Sequence, residues 1–330
     1  MKLDLSALDG AITFNHPSER VSQNERLVAS LRKEAKRLVK RRMEGLALYQ
    51  PLPAAIPFHA SQAKWRVIDG SNRAGKTLVG SACSSRAWLG CDPYDKFVKT
   101  NGRGLVIGLD GDHLAQMWAK CSLEGAFKII KDEHTGLWRA VRPDPNNHRV
   151  LDPYDAAYKE KWKDAPPLIP PRMILGRIAW EDRAKGIPRL VRFKNGWTVL
   201  FRSSEGKSPR GEHYHMGWID EQISNENFYV ELVRGLVQLG ESDKHRPRGI
   251  WSATPQDCNL QLCELRERAN TGLGGVDAFQ LHIDDNPFIP DEEKLEFYNS
   301  IPEEERASMG PPSFNGGRFD IELSSPSCKR

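Results

Sequence analysis

The sequence predicts an α/β fold, a mainly parallel sheet flanked by helices, and three observations predict it. A glycine-containing loop sits between a strand pattern and a helix pattern. Further short apolar runs alternate with segments of helical spacing, and two of those runs end in polar residues where strands of a parallel sheet present their ligand-binding ends. At 330 residues the chain has room for one large α/β domain or two smaller ones, each with a substantial core.

The loop is Gly70-Ser71-Asn72-Arg73-Ala74-Gly75-Lys76-Thr77, a match to G-x-x-x-x-G-K-[ST]. Trp65-Arg66-Val67-Ile68 enters it as a strand, and Leu78, Val79, Ala82 and Cys83 leave it with helical spacing. Glycines at both ends let successive N–H groups point at an anionic phosphate beside the positive end of a helix. Lys76 would reach the β/γ-phosphates and Thr77 would hold Mg²⁺ through its hydroxyl. ATP and Mg²⁺ are therefore the expected ligands, adenine by default because a guanine-reading Asn-Lys-x-Asp motif is absent. The fold expectation becomes that of a P-loop NTPase.

Composition narrows the setting. Mean hydropathy is −0.58 and no run of 18 apolar residues occurs, which argues against a membrane-spanning helix. The start, Met1-Lys2-Leu3-Asp4-Leu5, has an acidic residue where a secretory leader would be basic and then apolar, so a cytoplasmic location is expected. Six cysteines lack any C-x-x-C pair and indicate neither zinc nor a disulfide framework. A net charge of +4 permits a nucleic-acid partner without arguing for one.

Taken in order, residues 20–42 hold nine Lys/Arg against two Glu, with Leu27, Leu31, Ala35 and Leu38 at helical spacing. This basic amphipathic helix offers either a surface for nucleic acid or a neighbouring subunit, or a solvated charged face. Together with the proline-broken connector at 51–57 it makes residues 1–57 a helical N-terminal arm and linker. Gln62 lies just upstream of the first strand, where helicase-like ATPases place an adenine-reading glutamine; an exposed side chain near a turn is the alternative. Gly104–Gly108 reads as a second buried strand and residues 112–131 as a helix. Periodicity fails from about 134 to 172 among clustered prolines, and 134–188 is read as an irregular insertion within a domain spanning 58–288. Leu190–Phe193 and Thr198–Phe201 flank Asn195-Gly196, a hairpin signal. Residues 289–330 form an acidic linker and tail, with Leu295 and Tyr298 at helical spacing.

The second chemical motif is the apolar run ending in Asp220-Glu221. Asp220 would bind Mg²⁺ and Glu221 would act as general base on the attacking water. A further strand, Gly249–Ala253, ends at Ser252-Ala253-Thr254-Pro255, where hydroxyl side chains either sense the γ-phosphate or cap a turn. His213 and His215 have no evident third ligand and are read as structural or surface residues rather than a metal site.

The ordered set Gly70–Thr77, Arg210-Gly211, Ile219-Asp220-Glu221, Ser252–Pro255 and Asp284-Asp285-Asn286-Pro287 resembles the ATPase half of the large terminase subunit of tailed bacteriophages, over about residues 58–320. The resemblance implies an additional-strand, RecA/helicase-like P-loop domain. It implies a homo-oligomeric ring in the host cytoplasm, working at the procapsid portal with the portal protein and the small terminase subunit, and driving double-stranded DNA into the head. It assigns Lys76 and Thr77 to phosphate and Mg²⁺, Asp220 to Mg²⁺, Glu221 to water activation, and Ser252 and Thr254 to coupling. Arg210, or Arg73 within the loop, would be the arginine offered to a neighbour's nucleotide. Family members normally continue into a nuclease domain about where this sequence reaches Ser324–Arg330, so an ATPase portion that cuts no DNA is expected. Other DNA-dependent ATPases, a small-molecule P-loop kinase and a nucleotide-gated scaffold are the rival readings.

Overall fold

The apolar runs become the strands of one mixed sheet in the computed structural model, which describes residues 25–33, 43–144, 146–236, 245–254 and 260–300. After the short helical turns Gly45–Leu48, Pro53–Ala55 and Ile56–Ala60, the sheet domain runs β1 (Trp65–Gly70), α1 (Lys76–Trp88), β2 (Arg103–Gly108) and α2 (Gly111–Ser122). A small-strand region follows, with β3 (Lys128–Lys131), β4 (Trp138–Ala140) and β5 (Lys163–Asp164), and then β6 (Ala179–Asp182), β7 (Ile187–Arg192) and β8 (Thr198–Ser203). The last part is β9 (Met216–Asp220), α3 (Asn227–Gly235), β10 (Arg248–Ala253), α4 (Leu260–Asn270), β11 (Val276–Leu281) and α5 (Asp291–Ser300).

The eight-stranded sheet has the order β11-β1-β10-β9-β2-β8-β7-β6. All pairs from β11 through β8 are parallel; β7 and β6 close the edge antiparallel. The strand carrying the phosphate loop, β1, is separated from the strand carrying the carboxylates, β9, by the inserted β10. That inserted strand is the mark of the additional-strand P-loop class, and the order makes the domain α/β with a RecA-like core.

Alternate side chains of each central strand feed two cores, which is why these strands read as unbroken apolar runs. Ile68, Val106, Trp218 and Ile250 pack under α1 and α2 with Val79, Trp88, Met117 and Trp118. Val67, Ile107, Ile219 and Trp251 pack under α3 and α4 with Phe228, Leu232, Leu262 and Leu265. A Cβ on Gly80 of α1 would come within 2.8 Å of the Trp218 ring, so glycine there lets the helix lie against β9.

Two sequence expectations are corrected. The helix expected over 112–131 stops at Ser122, because Gly125 adopts φ 86 and the β-branched pair Ile129-Ile130 goes into β3. The stretch expected to be irregular carries ordered structure: β3, β4 and β5 form a separate antiparallel sheet, and β6 joins the main one. The hairpin at Asn195-Gly196 forms between β7 and β8. Gly196 at φ 89 takes the position that closes it, with its N–H on the Phe193 carbonyl at 2.9 Å.

Contacts divide the chain into Met1–Met43 and Glu44–Arg330. In the first unit residues 25–33 are helical; Ala35 and Leu38 of the expected amphipathic stripe lie outside the described residues. So does the tail from 301 onward, while α5 forms within the expected acidic stretch. No helix among the described residues is long and apolar enough to cross a membrane.

Candidate nucleotide site

The phosphate loop turns sharply between β1 and α1. Arg73 and Gly75 both hold left-handed backbone, at φ 65 and φ 94. Gly75 does so without steric cost and caps α1, whose first-turn N–H groups have no intrahelical partner and face a ligand position. Lys76 is 5% exposed and spends its three ammonium protons on the Gly70 carbonyl (2.9 Å), the Ser71 carbonyl (3.0 Å) and the Thr254 hydroxyl (3.1 Å). Burial lowers its pKa, and the nearby charges of Glu221, Asp220 and Asp69 oppose that shift.

The two strand ends across β10 complete the site. Asp220 is fully buried at the end of β9 and accepts three side-chain donors: Thr77 Oγ1 at 3.0 Å, His113 Nε2 at 2.9 Å, and the Ser252 hydroxyl. Glu221 follows in left-handed conformation at φ 61, held there by its N–H on the Ser252 carbonyl and by the Trp251 indole on its own carbonyl. A non-glycine residue in that region stores strain, and such strain concentrates at functional sites. The Glu221 carboxylate accepts the Thr254 N–H (2.9 Å) and contacts the Thr254 hydroxyl (3.1 Å), and it lies 4.0 Å from Lys76 Nζ. Ser252 and Thr254 of the β10 end therefore each bind one carboxylate of the Asp220-Glu221 pair.

Sequence reasoning missed His113. It sits one turn into α2, whose N-cap Asp110 accepts the His113 N–H at 2.7 Å, just beyond the C-terminal end of β2. The available signal was positional: that end of a parallel strand is where ligands collect. Burial pulls the His113 pKa down, yet the hydrogen bond to Asp220 and the charges of Asp220, Glu221 and Asp110 outweigh it and the net direction is up.

Beside the loop lies a cavity of about 620 Å³, within the usual range for a small-molecule site. Its walls include residues 72–79 and Glu221, together with Leu52, Arg142, Trp162 and Phe288. The residues present fit a magnesium nucleotide. A hydroxyl and a carboxylate of the hard-oxygen type that Mg²⁺ takes are 3.0 Å apart at the foot of the loop, and main-chain N–H groups line its mouth.

Not every expected residue joins this cluster. Gln62 does not line the cavity: its amide donates to the Tyr94 carbonyl (3.2 Å) in the loop after α1 and accepts from Arg248 Nη2 (3.0 Å) at the start of β10, so both ends of the amide are used within the protein. Arg210 is exposed, does not line the cavity, and makes no hydrogen bond or ion pair among the described residues. Arg73 is exposed on the cavity wall, and its carbonyl accepts Asn286 Nδ2 at 2.8 Å. His215 accepts the Arg103 N–H at 3.0 Å and packs on Trp197, and His213 is exposed.

No family model matches the chain, and no curated protein does. Among solved structures the chain is similar to the large terminase ATPase domain of Thermus phage P74-26, at 16% identity and TM-score 0.44, over 79% of this chain and 92% of that one. It is also similar to the large terminase of bacteriophage HK97, at 10% identity and TM-score 0.39, over 72% of this chain and 41% of that one. The strand order and the phosphate loop, rather than these distant likenesses, carry the conclusion that the domain has the additional-strand P-loop fold.

Proposed function

We propose that the chain is the ATP-hydrolysing motor subunit of a machine that moves double-stranded DNA into a viral procapsid. The observation that carries hydrolysis is the shared hydroxyl of Thr254, which links the loop lysine Lys76 to the carboxylate of Glu221. The DNA cargo, the portal and small-subunit partners and the ring come from the resemblance of the ordered motifs to large terminase subunits.

Bound ATP with Mg²⁺ supplies the phosphoryl group and the charge neutralisation that its transfer to water requires. Lys76 and the first-turn N–H groups of α1 would hold the phosphates, while Thr77 and Asp220 would hold the cation, with His113 and Ser252 fixing the orientation of Asp220. Glu221 takes the proton of the attacking water. Because Lys76 and Glu221 share Thr254, a lysine drawn toward phosphate loosens its hold on that hydroxyl and changes the surroundings of the base and of the β10 end together. Arg210, exposed and unengaged among the described residues, is suited to reach a neighbouring subunit's site; Arg73 on the cavity wall is the other candidate.

The test is steady-state ATP hydrolysis by the full chain with and without duplex DNA and a procapsid bearing its portal. Stimulation by both together supports the proposal. A rate unmoved by either removes the packaging assignment and leaves a P-loop ATPase of another kind.

A further inference from the structure

Beyond the phosphate loop, the cavity wall draws on three parts of the chain that meet nowhere in sequence. Leu52 comes from the segment before β1, Arg142 and Trp162 from the small sheet and its flank, and Phe288 from the loop after β11. Phe288 packs with Trp162 in the apolar cluster of the small sheet, ring centroids 6.2 Å apart and nearly perpendicular. The same loop is fastened to the phosphate loop, with Asn286 Nδ2 on the Arg73 carbonyl and the Ile283 N–H on Ser71 Oγ at 2.9 Å. A ligand gripped at Lys76 thus has a fixed second wall.

Arg142 gives that wall its chemistry. It is 7% exposed, pairs with no carboxylate among the described residues, and lies with Cζ 5.6 Å from the centre of the Phe288 ring. Its Nε and Nη2 donate to the Gln50 carbonyl and its Nη1 to the Val141 carbonyl at 2.7 Å. Three of its five N–H groups are therefore committed within the guanidinium plane, which holds the group as a flat plate. A flat cation beside an aromatic ring in the cavity wall suits a planar, electron-rich ring.

We infer that this part of the wall is the base-binding half of the nucleotide site, in which Arg142 and Phe288 hold the heteroaromatic base of the nucleoside triphosphate by stacking. Gln62, with its amide tied to Tyr94 and Arg248, takes no part in base recognition. The inference rests on the reading of residues 70–77 as the phosphate site. It makes the small sheet a sensor of the nucleoside, independent of the phosphate contacts.

The experiment compares calorimetric affinities of the full chain for ATP and for inorganic tripolyphosphate, both with Mg²⁺. Phe288→Ala and Arg142→Ala are expected to weaken ATP about tenfold or more and to leave tripolyphosphate within about twofold, while Phe288→Tyr keeps ATP affinity. Equal loss for both ligands, or no loss for ATP, overturns the inference. Lys76→Ala separates the two readings: it should weaken both ligands, and if it weakens neither, the phosphate-site reading itself fails. Photolabelling of the unmutated chain with 8-azido-ATP needs no variant to fold. Label on peptides containing Trp162 or Phe288 supports the inference, and label confined to other peptides overturns it.

Discussion

Replacing His113 with phenylalanine keeps a flat ring beside Asp220 and removes one donor, at 2.9 Å, from a carboxylate with no exposure to solvent. Asp220 then keeps only Thr77 and Ser252 of its three side-chain donors. A hydrogen bond to a buried charge contributes about 1.5–3 kcal/mol, so urea unfolding without Mg²⁺ should show a loss of about 2 kcal/mol. The larger consequence is functional, since partners that orient a metal-holding carboxylate typically change metal affinity about 10–100-fold. A Mg²⁺ titration of ATP hydrolysis should therefore show the half-saturating concentration rising about tenfold or more in His113→Phe. His113→Gln, whose amide can donate to the same oxygen, should recover most of it. A folded His113→Phe protein with an unchanged Mg²⁺ requirement would refute the role given to this histidine.

Thr254→Val removes the hydroxyl shared by Lys76 and Glu221 while keeping the side chain's shape; ATP affinity measured by calorimetry should stay within a few fold while turnover drops about tenfold or more. Gln62→Ala should leave ATP affinity within about twofold, because its amide partners are Tyr94 and Arg248, and should show its effect in thermal unfolding instead. His59 is buried, and burial first, then the charges of Arg86, Lys96 and Arg66, push its pKa from 6.5 down to about 2. The unfolded chain therefore takes up this proton below pH 6.5 and the folded chain does not, so the stability is complete above pH 6.5 and is lost as pH falls, by about 2 kcal/mol at pH 5. Urea unfolding at pH 7 and pH 5 should show a smaller pH effect in His59→Gln than in the unaltered chain.

The parts legible in the sequence are those whose determinants are contiguous. The phosphate loop declares itself because strand, turn and helix follow one another from Trp65 to Trp88, and β9 and β10 read as strands because both faces of each are buried. The parts that stayed hidden depend on long-range placement. His113 meets Asp220 across 107 positions, and Gln62 is claimed by Arg248 across 186, so local pattern held no trace of either partner. This part of the cavity wall escaped notice because β3 hides behind a helical pattern that continues past Ser122, and because Arg142 lies in a stretch without periodicity. Only the folded chain brings it to Phe288.

The central claim is that Glu221, poised beside Lys76 and Thr254, is the base of an ATP hydrolysis site, and one paired measurement tests it most directly: ATP affinity and single-turnover hydrolysis in Glu221→Gln. The amide preserves the shape of the side chain and removes its basicity. The expected result is ATP bound within a few fold of the unaltered chain and hydrolysis slower by about 10²–10⁴-fold. ATP bound equally well and hydrolysed at an undiminished rate would contradict the assignment.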